Sequence, residues 1–498
     1  MLRGYFLHKM KKCAIFTKIY DSKQKYLVML EFFSPPAAKP RLAADKIDGE
    51  YRRMRLKVFL GAFFGYAAYY LVRKNLSLAA PGMMEDGLLD KETAGFAMAG
   101  IPIAYAFSKF LMGSLSDHSD ARKFLVVGLI IASSVMAAVG LIPYSASIAV
   151  NGGILFAFML AVGWLSGMGW PPCGRIMAHW FSQNERSFKM SIWNCSHNVG
   201  GGSLGLLVSA GVVVFASMGI AESWRAAFIF PSVVAILFAA FCWWTLRDTP
   251  ESCGLPPIEE YRDDYTSRKA AAGEETTIPF RRLFVDYVFK NHLLWMIAIA
   301  NVFVYFIRYG ISDWSPTYLQ DMQIMSASES RVAFSLFEYA GIPGTIICGW
   351  LSSRFFQGRC APVNVIYMLM VLVGVLCYWQ ADAVASVFGG EAALPMVIYF
   401  SLGLTGFAVY GPIALIGIQA LSFVPKNAAG TAAGFVGLFG YLLGDALLSK
   451  IIVGQVAGSD LGWGVTFWMF TAACVIATVI CAVTWRKELH VMRERLQQ

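Results

Sequence analysis

The chain has too little charge for a soluble protein of its length. Only 15% of its 498 residues are Asp, Glu, Lys or Arg, whereas 57% are hydrophobic. Soluble domains carry roughly 25% charged residues, because a surface that faces water needs them. The composition therefore excludes an ordinary soluble enzyme, and the same apolar content excludes a disordered chain.

Paired cysteine motifs are also lacking, and we expect no cleaved leader peptide. The ten cysteines are scattered without CxxC spacing, so we expect apolar packing residues, no disulfide scaffold and no metal site. With no nucleophile triad or phosphate loop either, we expect no enzyme and no cofactor. Residues 1–50 lack the apolar run of a signal peptide. Met29 is a plausible alternative start, and a chain that begins there would not contain residues 1–28.

The sequence contains instead twelve long apolar stretches, each near the length of about 20 residues that a membrane-spanning helix needs. These predicted spans 1 to 12 lie near residues 58–80, 93–115, 124–143, 150–172, 190–216, 226–246, 291–314, 330–353, 363–381, 392–421, 428–454 and 463–485. The sequence therefore predicts an all-α membrane protein with twelve transmembrane helices.

Polar segments divide these spans into two groups of six. We expect an N-terminal segment at 1–57, a first bundle at 58–246, a linker at 247–290, a second bundle at 291–485 and a tail at 486–498. The net charge is +9, and basic and cation-poor loops alternate along the chain. Because cytoplasmic loops are enriched in Lys and Arg, both termini are predicted to be cytoplasmic.

The two halves repeat a short motif. Span 1 contains Tyr70-Leu-Val-Arg73 and span 7 contains Tyr305-Phe-Ile-Arg308. Gly113 follows Arg73 by 40 residues, and Gly349 follows Arg308 by 41. Parallel repeats of this kind are typical of transporters whose substrate site lies between the halves near the midplane. The repeat therefore predicts two pseudo-symmetric six-helix bundles with Arg73 and Arg308 in corresponding positions.

Several spans carry charge, although a charge at the bilayer centre costs at least about 2.5 kcal/mol and usually faces a cavity. The candidate cations are Arg73, Lys74, Lys109, His197 and Arg308, and the candidate acidic partners are Glu338 and Asp445. The cations outnumber the acids, so a dianionic ligand would balance them. A guanidinium donates two parallel hydrogen bonds to phosphate, which makes the arginine pair a candidate phosphate clamp.

Other members of this set allow two interpretations. Lys109 can reach the cavity or extend to the membrane surface. Lys74 points about 100° away from Arg73 around a helix, so it can pair with Glu338 instead of the ligand. His197 is either a cavity group or a satisfied structural residue. The tyrosines at 66, 70, 305, 410 and 441 can bind phosphate or glycerol oxygens, or simply pack.

The motif Gly113-x-x-x-Asp117 followed by Arg122 resembles the loop between helices 2 and 3 of the major facilitator superfamily, where it forms a gating loop. Three longer strings resemble the organophosphate:phosphate antiporter family of that superfamily. They are Gly-Tyr-Ala-Ala-Tyr-Tyr-Leu-Val-Arg-Lys-Asn at 65–75, Trp-Asn-Cys-Ser-His-Asn-Val-Gly-Gly-Gly at 193–202 and Arg-Tyr-Gly-Ile-Ser-Asp-Trp-Ser-Pro-Thr-Tyr at 308–318. The branch that they resemble most is the glycerol-3-phosphate branch.

This resemblance implies exchange of a phosphate monoester for inorganic phosphate across a bacterial inner membrane. It implies a clamp of Arg73 and Arg308 with His197 beside it. It also implies further cavity-lining residues, namely Lys74, Lys109, Tyr66, Tyr70, Trp193, Asn194, Tyr305, Tyr410 and Tyr441. Ser353 departs from the family, because it replaces the usual Asp of the second-half loop, which would loosen that cytoplasmic gate. Gly434 and Gly437 favour the glycerol-3-phosphate branch, whereas Asp445 resembles the hexose-phosphate branch, so the identity of the ester is not fixed.

The resulting expectation is an alternating-access antiporter whose partners are a phosphate ester, inorganic phosphate and the bilayer, with no nucleic acid, acting as a monomer. Two other activities stay open beside glycerol 3-phosphate exchange, namely hexose 6-phosphate exchange and a transporter-like receptor for sugar phosphates. A proton-coupled symporter would need Glu338 or Asp445 as its titrating acid.

Overall fold

The computed structural model describes residues 31–264, 285, 288–424 and 428–497. The alternative start at Met29 and the rest of the predicted linker lie outside these residues. Eleven helical segments of the described chain are long and apolar enough to cross a membrane. They are Lys91–Asp117, Ala121–Leu141, Ile148–Trp180, Gln183–Ser217, Ser223–Thr245, His292–Asp321, Ala327–Phe355, Ala361–Trp379, Gly390–Ser422, Gly430–Gly458 and Gly462–Glu488, and they correspond to spans 2 to 12.

Span 1 consists of two helices, Ala44–Tyr70 and Asn75–Glu85, separated by a turn at residues 71–74. The interruption frees backbone groups that need partners inside a membrane. Asn75 supplies one, because its Nδ2 donates to the carbonyl oxygens of Leu71 at 2.9 Å and of Ala227 at 2.7 Å. The same amide therefore stabilises the break and attaches it to span 6.

Three other spans are also irregular. Span 4 comprises Ile148–Ser166 and Trp170–Trp180, and span 5 comprises Gln183–Asn194 and Ser196–Ser217. Span 11 changes from an α-helix, Ala429–Phe439, to a π-helix, Gly440–Ile452, and back to an α-helix at Val453–Gly458. Such π-segments are frequent at functional sites.

Several helices extend beyond the predicted ends of the spans. Span 4 was predicted to end at 172 and span 5 to begin at 190, but the helices continue to Trp180 and begin at Gln183. These extensions carry polar residues, so they leave no hydropathy signal. Span 12 continues as a helix to Gln497, through the predicted tail. Short helices at Ser223–Arg225, Glu251–Cys253, Ile258–Tyr261, Ala381–Phe388 and Gly390–Ala393 complete the described elements.

The helices form two bundles with corresponding internal contacts. Span 2 packs on span 4 and span 3 on span 6, and in the second half span 8 packs on span 10 and span 9 on span 12. The bundles meet where span 2 contacts span 11, span 5 contacts span 8, and the second helix of span 1 contacts span 7. The candidate site residues lie along these contacts.

One end of the molecule, which we call the linker face, carries residues 118–120, 246–264 and 356–360; the other end is the opposite face. The first part of the linker packs on the first bundle. Tyr51 stacks on Tyr261 at 3.9 Å between ring centroids and donates to the carbonyl oxygen of Pro256. Arg41 pairs with Glu260 at 2.6 Å. Residues 247–264 are thus attached to the first bundle.

The two bundles are in contact at the opposite face. Lys91 Nζ lies 2.7 Å from Asp321 Oδ2, and Arg331 Nε donates to Ser209 Oγ at 2.9 Å. Spans 2 and 11 cross backbone to backbone, because a Cβ added at Gly454 would lie 2.7 Å from the Lys91 carbonyl oxygen. Towards the linker face Lys109 and Phe110 of span 2 are exposed. The space between the bundles is therefore closed at the opposite face and accessible from the linker face.

Candidate phosphate-binding site between the bundles

Arg73 lies within the interruption of span 1. Its guanidinium carbon is 4.9 Å from the ring centroid of Tyr70 and 4.3 Å from that of Tyr105. Residues 71–74 turn instead of continuing the helix, so the side chain projects from a turn near the middle of the span. The Arg73 side chain is only partly buried and lines a cavity between the bundles.

Arg308 belongs to the second bundle and is 3% exposed. Its guanidinium carbon lies 4.4 Å from the ring centroid of Tyr410 and 4.6 Å from that of Tyr309, and its Nη2 donates to the Tyr410 hydroxyl at 3.2 Å. Its Nε is buried without a hydrogen-bond partner. Within the described chain neither Arg308 nor Arg73 has a carboxylate oxygen within 4.0 Å.

His197 connects the surroundings of the two arginines. Its ring centroid lies 5.5 Å from that of Tyr70, beside Arg73, and 5.7 Å from that of Tyr410, beside Arg308. The structure therefore brings together five of the predicted site residues, contributed by both halves. The break at Cys195, directly before Ser196–Ser217, places His197 in the first turn of that helix.

Lys74 lines the same cavity as Arg73 but belongs to an ion-pair network. Its Nζ lies 2.8 Å from Glu338 Oε1, 2.8 Å from Asp313 Oδ1 and 2.6 Å from Ser312 Oγ. Lys450 forms a second ion pair with Asp313, and its Nζ is 3.6 Å from Asp445 Oδ1. Glu338 also accepts a hydrogen bond from the Tyr410 hydroxyl, so the network reaches the partner of Arg308.

Two network residues, Asp313 and Lys450, were not among the predicted site residues. They are 4% and 3% exposed and line the central cavity. Span 7 does not end near residue 314 but continues to Asp321, so Asp313 is nearer the middle of the helix. Asp313 follows Arg308 by only five residues, and this short separation could have indicated that Asp313 lies deep in the span.

Other predicted residues lie on the linker side of the cavity. Trp193 stacks on Tyr66 with 4.8 Å between ring centroids, and its Nε1 donates to the Ala62 carbonyl oxygen. Lys109 Nζ lies 5.7 Å from the ring centroid of Trp170 and its side chain is exposed. Asn194 is half-buried at the end of the first helix of span 5. Lys109 therefore lies where a ligand entering from the linker face would pass.

Tyr305 and Tyr441 belong to a cluster of tyrosines from three spans. Tyr441 contacts Tyr305 at 5.1 Å and Tyr105 at 5.0 Å, and Tyr305 contacts Tyr309 at 5.6 Å between ring centroids. Tyr105 and Tyr309 were not among the predicted site residues. Two signals were available: Tyr309 directly follows Arg308, and Tyr105 precedes Lys109 by one helical turn.

Close backbone contacts hold this cluster together. A Cβ at Gly444, in the π-helix of span 11, would overlap the carbonyl oxygen of Val302. A Cβ at Gly200 would overlap the carbonyl oxygen of Ala67, where span 5 crosses span 1. Glycine permits such approaches because it lacks a Cβ atom. These crossings bring span 11 against span 7 and span 5 against span 1, beside the aromatic and charged side chains of the site.

The predicted gating-loop residues lie at the linker face, away from the cavity. The backbone carbonyl of Asp117 accepts a hydrogen bond from Arg175, and Arg122 lies 4.6 Å from the ring centroid of Trp243. A Cβ added at Gly113 would have no heavy atom within 4 Å.

Among the described residues no group of three or more His, Cys, Asp or Glu side chains could hold a metal ion.

The arrangement can bind a small anion. Two guanidinium groups provide hydrogen-bond donors that no described carboxylate occupies, and tyrosine hydroxyls and a histidine surround them.

The model of the Major Facilitator Superfamily matches residues 62–449. The chain belongs to this superfamily. The predicted fold class, an all-α protein with two bundles in the major facilitator fold, is thereby confirmed.

Curated members of the superfamily are similar over almost the whole chain. A glycerol-3-phosphate transporter from Bacillus subtilis is 46% identical over 92% of this chain and 98% of its own length. A glycerol-3-phosphate transporter from Haemophilus influenzae is 40% identical over 92% of this chain and 96% of its own length. A membrane sensor protein from Escherichia coli is 33% identical over 83% of this chain and 89% of its own length. The resemblance to organophosphate transporters is thus confirmed.

Solved structures of the superfamily share the fold. A bacterial homologue of the human lysosomal transporter Spinster, in an inward-facing and unoccupied conformation, has a TM-score of 0.63 and 17% sequence identity. The match covers 88% of this chain and 98% of that one. At this identity the similarity concerns the fold alone.

Proposed function

We propose that the protein exchanges glycerol 3-phosphate for inorganic phosphate by alternating access, as a monomer in a bacterial inner membrane. The observation that carries this proposal is the pair of guanidinium groups, one from each bundle. Arg73 lines the cavity between the bundles, and Arg308 packs on Tyr309, which lines the same cavity. Neither guanidinium has a described carboxylate within 4.0 Å. A phosphate dianion supplies the missing charge. The 46% and 40% identical relatives are named glycerol-3-phosphate transporters, which favours this ester.

Binding of the dianion provides the force for the conformational change. In the empty site the two cations repel each other, which favours a hydrated space open at one face. A phosphoryl group that accepts hydrogen bonds from Arg73 and Arg308 neutralises them and draws the bundles together. The ligand therefore binds the closed arrangement more tightly and increases its population. The unloaded carrier lacks this stabilisation, so exchange is fast and net movement slow.

We place the linker face in the cytoplasm, with both termini. The linker face carries cations near the helix ends, including Arg122 and Arg175, and cytoplasmic ends of membrane helices are enriched in Lys and Arg. The contacts at the opposite face, Lys91 with Asp321 and Arg331 with Ser209, then close the periplasmic side. In this orientation the described conformation is open inward and accepts ligand from the cytoplasm.

Counterflow in proteoliposomes tests the activity and the substrate together. Vesicles loaded with phosphate should accumulate external radioactive phosphate, with stronger competition from glycerol 3-phosphate than from glucose 6-phosphate. Stronger competition from glucose 6-phosphate would identify the hexose-phosphate alternative. Uptake driven by a pH gradient without internal phosphate would support a symporter and contradict exchange.

A sensor is a second candidate, because a relative that is 33% identical is named as a membrane sensor protein. A sensor needs ligand binding but little turnover. Phosphate binding to the purified protein with no counterflow above that of empty liposomes would therefore favour the sensor. Counterflow that saturates with external phosphate would exclude this candidate as the main activity.

A further inference from the structure

The outer side of span 6 ends at the linker face in two exposed tryptophans. Trp243 and Trp244 are 43% and 62% exposed. Val233, Leu237 and Trp244 follow one another at intervals of four and seven residues, and all three are exposed. This spacing places them on one side of the helix, away from the buried side that packs on spans 1, 3 and 5. In a membrane-spanning bundle such a stripe faces lipid, and tryptophan at its end marks the membrane–water interface.

Cations from three different segments surround these indoles. Lys57 Nζ, from span 1, lies 4.5 Å from the ring centroid of Trp244. The Arg122 guanidinium carbon, from span 3, lies 4.6 Å from that of Trp243. Arg247 follows span 6 directly, and its Nη1 donates to the carbonyl oxygens of Leu246 at 2.6 Å and Trp244 at 3.2 Å. The two flanking cations therefore hold the indoles from neighbouring helices.

Among the described residues, only one of these three cations has a carboxylate within 4.0 Å. Asp120 Oδ2 is 3.9 Å from Arg122 Nη2, and its Oδ1 accepts the backbone N–H groups of Arg122 and Lys123. Asp248 is engaged by the Arg175 side chain and the backbone N–H of Ala121. In the described part of the chain Lys57 and Arg247 have no carboxylate within 4.0 Å. The group formed by Lys57, Arg122, Trp243, Trp244 and Arg247, here called the basic–aromatic patch, therefore carries excess positive charge.

We propose that the basic–aromatic patch binds the phosphate headgroup of an anionic phospholipid. Each lysine or arginine near a membrane surface adds about 1 kcal/mol of attraction to anionic lipid, and the indoles fix the depth at which the cations meet the headgroups. The apolar stripe at Val233 and Leu237 continues below the patch, where an acyl chain would lie. A freely dissolved phosphate would make no contact with that stripe, so the presence of the stripe favours a lipid. The site lies outside the cavity between the bundles and requires only that the protein span a membrane.

Quenching of tryptophan fluorescence by brominated lipid measures this binding in the complete protein. The protein is reconstituted in phosphatidylcholine vesicles, and brominated phosphatidylglycerol or brominated phosphatidylcholine is added. The difference from a Trp243→Phe/Trp244→Phe variant isolates the signal of the patch. We expect stronger quenching by the anionic lipid. In Lys57→Gln/Arg247→Gln this preference should fall about fivefold per cation removed, and in Lys57→Arg/Arg247→Lys it should remain.

The second bundle offers a matched control. Trp350 is exposed towards the linker face and contacts Phe355, and Arg354→Gln removes a cation from the same helix. Arg354→Gln should leave the preference of the basic–aromatic patch for anionic lipid unaltered. An unchanged preference in Lys57→Gln/Arg247→Gln with a wild-type melting temperature would overturn the proposal. Displacement of the anionic lipid by millimolar inorganic phosphate would identify a site for free phosphate and would also overturn it.

Discussion

The ammonium nitrogen of Lys74, in the first bundle, lies 2.8 Å from Glu338 Oε1, in the second. The preceding residue, Arg73, has no such carboxylate among the described residues and lines the cavity between the bundles. The interruption of span 1 separates the two cations, one into an ion pair between the bundles and one towards the ligand space.

Removing the charge of Glu338 should destabilise the protein. Glu338→Gln leaves Lys74 with Asp313 alone and changes the acceptor of the Tyr410 hydroxyl. Breaking a buried pair from one side typically costs about 3–5 kcal/mol when the remaining charge has no partner. Lys74 keeps Asp313, which it shares with Lys450, so we expect a smaller loss. We expect a lower melting temperature for Glu338→Gln than for Lys74→Gln/Glu338→Gln, in which both charges are absent. Equal melting temperatures would show that the pair is not coupled.

The Tyr410 hydroxyl should contribute to ligand affinity by positioning Arg308. It accepts the hydrogen bond from Arg308 Nη2 and donates to Glu338. Tyr410→Phe removes both bonds and should raise the apparent KM for phosphate counterflow about tenfold, the effect of losing about 1.4 kcal/mol. The control is Tyr378→Phe, since the Tyr378 hydroxyl is buried without a hydrogen-bond partner. A KM for Tyr410→Phe equal to that control would exclude the positioning role.

Closure at the opposite face should depend on the crossing of Gly95 and Gly454. A Cβ at Gly95 would overlap the carbonyl oxygen of Lys450 and lie 3.1 Å from Gly454 Cα. Overpacking of this kind typically costs about 1–3 kcal/mol, and it acts only while the bundles are in contact. Gly95→Ala should therefore favour the conformation that is open at this face.

Thiol labelling at the opposite face measures that shift. Ser203 bonds to Tyr339 of the other bundle at 2.8 Å, so a cysteine placed there by Ser203→Cys is covered when the bundles are closed. Gly95→Ala should increase its labelling by an impermeant reagent roughly tenfold, which corresponds to about 1.4 kcal/mol. The matched change is Gly153→Ala in span 4, where an added Cβ meets no atom within 4 Å. Equal labelling in the two variants would contradict the proposed role of the crossing.

The sequence predicted the features that depend on composition and periodicity. Twelve apolar stretches and the repeated Tyr-x-x-Arg motif were sufficient for the two-bundle fold and for selecting Arg73 and Arg308. The break at residues 71–74 left no such signal. No proline or glycine lies at these four positions, and the turn is stabilised by Asn75, whose side chain also bonds to Ala227, far away in sequence.

Other features were hidden because they arise from packing between distant segments. The position of Asp313 depends on how far span 7 continues, and a helix end is poorly marked when its last turns are polar. The cluster of Tyr105, Tyr309 and Tyr441 forms only when spans 2, 7 and 11 meet. The attachment of residues 247–264 to the first bundle likewise depends on contacts such as Tyr51 with Tyr261.

Phosphate counterflow by Arg73→Lys and Arg308→Lys in proteoliposomes tests the central claim most directly. Lysine keeps the charge but cannot form the paired hydrogen bonds of a guanidinium. Arg53→Lys makes the same change at an exposed residue of the linker face that pairs with Glu50. We predict that both cavity variants lose exchange while Arg53→Lys retains it. Near-normal exchange by either cavity variant would contradict a phosphate clamp shared between the bundles.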